Sequence, residues 1–315
     1  MRIVFIGGTR FIGHAAAERA LERGHEVVVM HRGNHPCELG GVVDRRVDRN
    51  DPSELATALA AEAPDVMIDT RAMTKSDAET TALAAKVAGC AAVVLSSQDV
   101  YAQLGRVNGL AAPDPEELID ERSPLTVPYP FRDVASHEGG PDYDKKDVEA
   151  VFRDAAEELP RVTVLRLPAV YGARDPKRRF GWALDALDAG RTVLPVQGGG
   201  RWRWTHSHVR DVAHAVVLAA ESSREGFYLF NVGEAQTPTM RERVADIARV
   251  AGHDVCFEES DAIDEAFALL GQLPNDIVVS SERLRRELAF EEITTDVERL
   301  RDLVRWLRDS RVSVS

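Results

Sequence analysis

The chain opens "MRIVFIGGTRFIGHAAAERAL" (Met1–Leu21), and the reading of this stretch decides the fold. Ile3–Ile6 is a short apolar run of strand type and His14–Arg23 has helical spacing. The turn between them reads Gly7-Gly8-Thr9-Arg10-Phe11-Ile12-Gly13. A strand, a glycine turn and a helix in this order set main-chain N–H groups and a helix N-terminus against an anion, as a dinucleotide pyrophosphate requires. Gly7 permits the tight turn, Gly8 adds freedom within it, and Gly13 lets the helix pack close to the strand. A loop of the form G-x-x-G-x-x-G has glycine where this chain has Arg10. The stretch is therefore either an ordinary strand–helix turn or a dinucleotide loop retuned for a different cofactor.

Outward from this loop the first half alternates. Strand candidates Val27–Met30, Val66–Asp69 and Ala92–Leu95 are interleaved with helix candidates Pro52–Ala61 and Asp77–Ala88. Short apolar runs alternating with helical segments predict a doubly wound parallel α/β sheet with ligands at the carboxyl ends of its strands. Thr70 and Arg71, just past Val66–Asp69, are therefore expected on the cofactor. Residues from about 102 to 141 break the rhythm with "AAPDPEELIDERSPLTVPYP" (111–130), which reads as a lid or binding loop or as disorder. Periodicity returns with a helix Lys145–Glu158, a strand Val162–Leu167 and helices Gly181–Ala189 and Val209–Glu221. A strand Phe227–Val232 and helices near 239–251 and 295–309 complete the chain.

The 315 residues suffice for a nucleotide domain with a smaller domain attached. Hydrophobic residues at 44% and charged residues at 29% are an ordinary globular mix. No apolar run reaches about 18 residues, so no membrane span is expected, and the N-terminus lacks the features of a signal peptide. Cys37, Cys90 and Cys256 are far apart, with neither metal spacing nor a disulfide framework; this fits a reducing cytoplasm, and no metal is expected. A net charge of −13 with no basic block argues against nucleic-acid binding. Lysine occurs only at 75, 86, 145, 146 and 177.

The second strand ends "VVVMHRGN" (27–34), with His31 and Arg32 where an NAD site has an acid for the adenosine ribose. An acid repels a 2′-phosphate, whereas a guanidinium pairs with it in a fork. Arg32 with Arg10 points to NADP(H) preferred over NAD(H); the alternative is that Arg32 is a solvated turn residue. In "RRVDRND" (45–51), Asp48 at the end of a third strand is placed to accept from the adenine amino group, with Arg49 beside it.

With these motifs, the chain resembles the extended or atypical short-chain dehydrogenase/reductase superfamily, in its NAD-dependent epimerase/dehydratase branch. "GGTRFIG" resembles the cofactor loop in the variant with Arg or Lys at the middle glycine. "VVLSSQDVY" (93–101) resembles the fourth strand with its active-site serine, which falls on Ser97. "VLRLPAVYG" (164–172) resembles the strand whose end, at Pro168 and Val170, lines the nicotinamide. "HVRDVAHAV" (208–216) and "FNVGE" (230–234) resemble the family's "HVxDVAxA" helix and "YNVG" strand. The resemblance implies a Rossmann-type sheet over 1–170, completed by about 205–235. It also implies a smaller C-terminal α/β substrate-binding domain from 171–204 and 236–315.

It further implies a tyrosine that exchanges the substrate's hydroxyl proton, a lysine four residues later that lowers the tyrosine pKa and binds the nicotinamide ribose, and a serine on the substrate oxygen. Here "PDYDKKDVEAVF" (141–152) has Asp147 four residues after Tyr143. The family's "KxxxE" spacing is met by Lys145 and Glu149, which puts Pro141 at the tyrosine position. If both were helical, Tyr143 and Lys145 would diverge by roughly 200°. Tyr143 either serves as the acid or only packs the helix start; Lys145 is the expected ribose ligand, with Lys146 as alternative. Tyr129, His137 and Asp99 are further candidates for the acid.

Relatives acting on nucleotide sugars carry an arginine in "RDYxHV" that grips the diphosphate. In "GRWRWTHSHV" (200–209) that position is Trp204 and the next is Thr205, with Arg201 and Arg203 directed elsewhere on a strand. The tryptophans and histidines form either an aromatic pocket for a less charged substrate or a packed seam. The expected function is an NADP(H)-dependent oxidoreductase or epimerase/dehydratase-like enzyme acting on a carbonyl or hydroxyl of a small molecule. Two other readings are a catalytically impaired cofactor-binding sensor or regulatory protein, and an RNA-binding relative. A homodimer is common for the fold.

Overall fold

The computed structural model describes residues 1–110, 112, 118–127, 129–133, 139–271, 273 and 275–312. The strands are β1 (Arg2–Ile6), β2 (Glu26–His31), β3 (Val43–Arg46), β4 (Val66–Asp69), β5 (Ala91–Ser97), β6 (Arg161–Leu167), β7 (Ala169–Tyr171), β8 (Val193–Val196), β9 (His206–His208), β10 (Gly226–Asn231) and β11 (Cys256–Glu259). The helices are α1 (Phe11–Glu22), α2 (Pro52–Ala61), α3 (Lys75–Ala88), α4 (Ala102–Val107), α5 (Lys145–Ala155), α6 (Gly181–Asp188), α7 (Val209–Glu221), α8 (Met240–Ala251), α9 (Glu282–Leu288) and α10 (Asp296–Val312).

Seven strands form one parallel sheet in the order β10-β6-β5-β4-β1-β2-β3. This is a Rossmann-type doubly wound sheet whose order reverses between β1 and β4. Alternate residues of each strand enter two separate cores: Ile3, Phe5, Val27 and Val29 pack with α1 and α7, and Val4, Ile6, Val28 and Met30 pack on the opposite face with α2, α3 and α5. Burial on both faces is why these strands read as unbroken apolar runs. A third core gathers Tyr171, Leu184, Trp202, Val244, Phe267 and Leu303 around α6, α8 and α10, beside the parallel pair β8–β11. No helix among the described residues is long and apolar enough to cross a membrane.

Local chemistry sets the helix starts. Asp51 caps α2, accepting from the Ser53 and Glu54 N–H groups, with Pro52 in the first turn. Thr74 and Asp77 form a capping box that starts α3 at Lys75, ahead of the expected Asp77. The segment expected to be irregular opens with the two-turn helix α4, which the interior Gly105 and its short length hide in the sequence. Further along, Ile119 bridges Val279 and Tyr101 bridges Leu125.

Candidate active site

The switch point between β1 and β4 opens a cavity of about 730 Å³. Its floor at one end is the loop between β1 and α1. Gly7 and Gly8 have φ of +100° and +95°, a region that favours glycine. A Cβ on Gly7 would stand 2.2 Å from Thr70 Oγ1, which itself donates to the Ile6 carbonyl at 3.0 Å. A Cβ on Gly13 would lie 2.8 Å from the Gly8 main chain. No acid occupies the first turn of α1, and Arg10 at its N-cap position makes no capping bond. The unpartnered N–H groups of a helix start therefore face the cavity, the arrangement that takes a phosphate. The cradle fits a dinucleotide pyrophosphate.

Arg10, His31, Arg32, His35 and Arg49 wall the outer end. Arg10 Nη1 lies 3.4 Å from His35 Nε2. His31 Nδ1 accepts from the Gly33 N–H at 3.0 Å, so its proton sits on Nε2 and is given to Asp44 at 2.6 Å. Among the described residues Arg32 makes no side-chain hydrogen bond or ion pair, and it is exposed. Arg49 reaches the buried Asp69 carboxylate through two contacts of 3.4 Å. Asp48 differs from its expected placement. β3 stops at Arg46, Val47 turns inward, and the alternation leaves Asp48 exposed, its Oδ1 accepting from the Asn50 N–H at 3.0 Å. It does not line the cavity, and neither do Tyr129 and Lys146, whereas the other residues expected on the cofactor do, together with Ser97, Asp99, Tyr143 and Lys145.

The inner end is built by β5, β6 and the start of α5. Lys145 is the first residue of α5 and is buried; its Nζ donates to the carbonyls of Ala72 at 2.6 Å and Leu95 at 3.0 Å. Burial pushes this amine down to about 8, opposed by Asp69 and Asp99. Asp144 is extended, with φ of −156°, and caps the helix by accepting from the Lys146 N–H at 2.8 Å. Tyr143 therefore lies outside the helix, the expected divergence from Lys145 does not arise, and both side chains reach the same cavity.

The Tyr143 hydroxyl donates to Asp99 Oδ2 at 3.3 Å, and Ser97 Oγ accepts from the Asp99 N–H at 3.2 Å. Burial and then the Asp99 charge push the Tyr143 phenol well above its ordinary range. Tyr129, whose ring centroid is 5.7 Å from that of Tyr143, is raised by burial as well. Lys146 turns away and donates to the Thr126 carbonyl at 2.8 Å. Glu149 anchors α5 to the sheet: it accepts from Ser96 Oγ at 2.6 Å and from Arg166 through a fork of 2.9 and 2.6 Å. His137 lies outside the described residues.

Sequence reasoning missed one wall. Asp175 is buried and gathers the Lys177 and Arg179 N–H groups, while Arg179 Nη1 donates to the Val170 carbonyl at 2.8 Å. This loop reaches the site by folding back from β7, with no local pattern to announce it. Among the described residues, no group of three or more His, Cys, Asp or Glu side chains is placed to hold a metal ion.

A family profile described as "NAD dependent epimerase/dehydratase family" matches residues 3–233. The chain belongs to this family. Its members are short-chain dehydrogenase/reductase-type oxidoreductases and epimerases, and they use a nicotinamide cofactor. A curated relative, 2′-dehydrokanamycin reductase of Streptomyces kanamyceticus, is 30% identical over 232 residues, which is 71% of this chain and 60% of that protein. The chain thus matches well under two thirds of that relative's length. Among solved structures, a putative epimerase from Burkholderia cenocepacia superposes with a TM-score of 0.75 at 18% identity, covering 98% of each chain. UDP-glucose 4-epimerase of Thermus thermophilus with NAD gives 0.70 at 22% identity, over 98% of this chain and 99% of that one. MoeE5 with UDP-glucose and NAD gives 0.71 at 21% identity, over the whole of both chains.

At the positions of the family's "RDYxHV" pattern, the side chains of this member are packed against their neighbours. Trp204 lies against Trp202 and His206, at ring separations of 6.0 and 5.3 Å. Thr205 is fully buried, its hydroxyl 3.0 Å from Thr237 and accepting from the Val279 N–H at 2.9 Å. Arg203 is held by Asp276 through main-chain and Nε contacts of 2.8 and 2.9 Å. Trp202, Trp204, His206 and His208 do not line the cavity; they pack as a seam, and burial pushes His208 down to about 4.

Proposed function

We propose that the chain is an NADP(H)-dependent reductase that returns a ketone on a small polyhydroxylated molecule to the alcohol, with Ser97, Tyr143 and Lys145 at its centre. The observation that carries this is a single cavity with the Gly7–Gly13 cradle at one end and these three side chains at the other. A bound nicotinamide nucleotide supplies the hydride. The loop N–H groups hold its pyrophosphate, and Arg10 and Arg32 pair with a 2′-phosphate. Thr70, Arg71, Pro168 and Val170 wall the nicotinamide half, and Lys145 holds the ribose. Ser97 hydrogen-bonds the substrate oxygen and Tyr143 exchanges its proton.

The preference for NADP(H) rests on two arginines at the cavity rim and no acid at the end of β2. A substrate without a diphosphate is supported by Trp204, Thr205 and the Arg203–Asp276 pair, and its class by the name of the curated relative. We place the second lobe, 171–204 with 236–315, as the substrate-binding domain, on the third core that joins these segments. A cytoplasmic homodimer completes the reading; light scattering measures the assembly.

Calorimetric titration of NADPH and NADH tests the cofactor. The native chain should bind NADPH more tightly, and Arg10→Ala with Arg32→Ala should reduce the preference about ten- to a hundredfold, as loss of hydrogen bonds to a charged group implies. Equal affinity for both nucleotides in the native chain, or an unchanged ratio in the variant, would sink the assignment. A second reading, cofactor binding without turnover, is favoured by Lys145 donating to two carbonyls and not to Tyr143. NADPH consumption with 2′-dehydrokanamycin separates the two.

A further inference from the structure

The geometry around Tyr143 departs from a tyrosine–lysine pair. Its hydroxyl donates to Asp99 at 3.3 Å, and both residues line the cavity, while Lys145 gives two of its three N–H groups to main-chain carbonyls and acts on Asp99 through its charge. Asp99 stands on the one-turn helix Gln98–Val100 directly after β5, where Ser97 caps its N–H. The phenol is enclosed. Tyr129 and Phe131 pack on it at ring separations of 5.7 and 6.3 Å, and a Cβ on Gly139 would come within 2.4 Å of its Cδ2. The charged groups nearby are divided in their duties. The Asp144 carboxylate is taken by Arg132 and the Lys146 N–H, Lys146 Nζ lies over the Tyr129 ring at 5.5 Å, and Asp99 is the carboxylate to which the Tyr143 hydroxyl donates.

We infer that Asp99 is the terminal proton carrier of the centre, acting through Tyr143 as a relay. In alcohol oxidation the substrate hydroxyl gives its proton to Tyr143 Oη as the proton on that oxygen passes to Asp99 Oδ2. In carbonyl reduction both protons move in reverse, and water re-protonates the Asp99 carboxylate. Tyr143 never holds a net negative charge. This arrangement suits a phenol whose burial and anionic neighbour disfavour the tyrosinate. Asp99 is thus a positioning and proton-storing residue, and the inference rests on Tyr143 being the group that meets the substrate.

The tyrosinate absorption band tests this without turnover. The native chain and Asp99→Asn are each titrated with alkali against their Tyr143→Phe counterparts. The native difference should show no tyrosinate from Tyr143 through about pH 10, the ordinary phenol range. In Asp99→Asn the midpoint should fall by about one pH unit or more, as removal of a like charge requires. Equal titration in the two chains, or a native Tyr143 that ionises in the ordinary range, overturns the relay. NADPH-driven reduction of 2′-dehydrokanamycin gives a second readout. The rate should fall on an alkaline limb set by a carboxylic acid, keep that limb in Asp99→Glu, and drop about 10²- to 10³-fold without it in Asp99→Asn. An unchanged limb in Asp99→Asn overturns the inference. Undiminished turnover in Tyr143→Phe instead removes the catalytic reading of Tyr143 and leaves the titration to stand. If Asp99→Asn does not fold, the native titration and the Asp99→Glu limb decide.

Discussion

Lys145 places a buried amine in the wall of the cavity. Its two acceptors are main-chain carbonyls, so the charge is hydrogen-bonded, and among the described residues no carboxylate pairs with it. The folded chain holds this group near 8, below the 10.5 of an ordinary lysine. Below about pH 8 both folded and unfolded chains carry the proton, and the folded state bears the full cost of the buried ammonium. As pH rises from about 8 to about 10.5 the folded chain releases the proton before the unfolded chain does, so stability rises through that window. The whole effect is on the order of 3 kcal/mol. Lys145→Met removes it. Urea midpoints of the native chain and the variant, measured at neutral pH and again near pH 10, should show the native chain gaining relative to the variant. A gap that stays constant across the window would contradict the burial of a charged amine here.

The element that sets the inner site is α5, and it is fixed from beneath. The Glu149 carboxylate takes Ser96 from β5 and both arms of Arg166 from β6, and the Arg166 guanidinium lies over the Tyr101 ring at 4.7 Å. Removing one partner of a buried pair strands the other, at a cost of about 3–5 kcal/mol. Glu149→Gln should lower the unfolding free energy read from urea titration by that order and reduce turnover through displacement of Lys145. The paired variant Glu149→Leu with Arg166→Met should recover much of the stability. A cost below about 1 kcal/mol for Glu149→Gln would show that the pair does not anchor the helix.

Such long-range ties are what the sequence hides. The glycine loop, the apolar strands and the Lys145–Glu149 spacing were legible because each is a local pattern, and the parallel sheet buries both strand faces. The helix starts at Phe11 and Lys75 lie earlier than the apolar periodicity implied, because caps and loop geometry set them. The three- and four-residue strands β7, β8, β9 and β11 are too short to display a period. At the site, Asp175, Arg179 and His35 arrive on loops, and the pairing of Tyr143 with Asp99 depends on the extended Asp144, which no spacing rule encodes.

At the scale of the whole molecule, a buried ionic network ties β7 and the segment after β10 to α7, α8 and α10. Tyr171 on β7 donates to Glu234 at 2.7 Å, Arg243 on α8 pairs with the same carboxylate at 2.7 Å, and Arg299 on α10 lies 3.8 Å from Glu234 and 3.6 Å from Asp211 on α7. The cavity draws its walls from the sheet and from the 175–179 loop that leads into the second lobe. A ligand in it therefore stabilises the chain by linkage, about 2.7 kcal/mol at a hundredfold excess over Kd, or a few degrees in Tm. NADPH should produce that shift. UDP-glucose should produce none, whether alone or with NADPH saturating. A diphosphate needs a cation where Trp204 and Thr205 are packed into the seam, and the adjacent Arg203 is already held by Asp276. Thermal unfolding of the native chain, followed at fixed protein concentration, makes the comparison directly. A rise of several degrees with UDP-glucose over saturating NADPH would mean that the seam opens to admit a nucleotide, and the substrate would then be a sugar nucleotide. The absence of such a rise, together with a shift from a keto-substituted polyol, would fix the second lobe as a site for small uncharged or cationic rings.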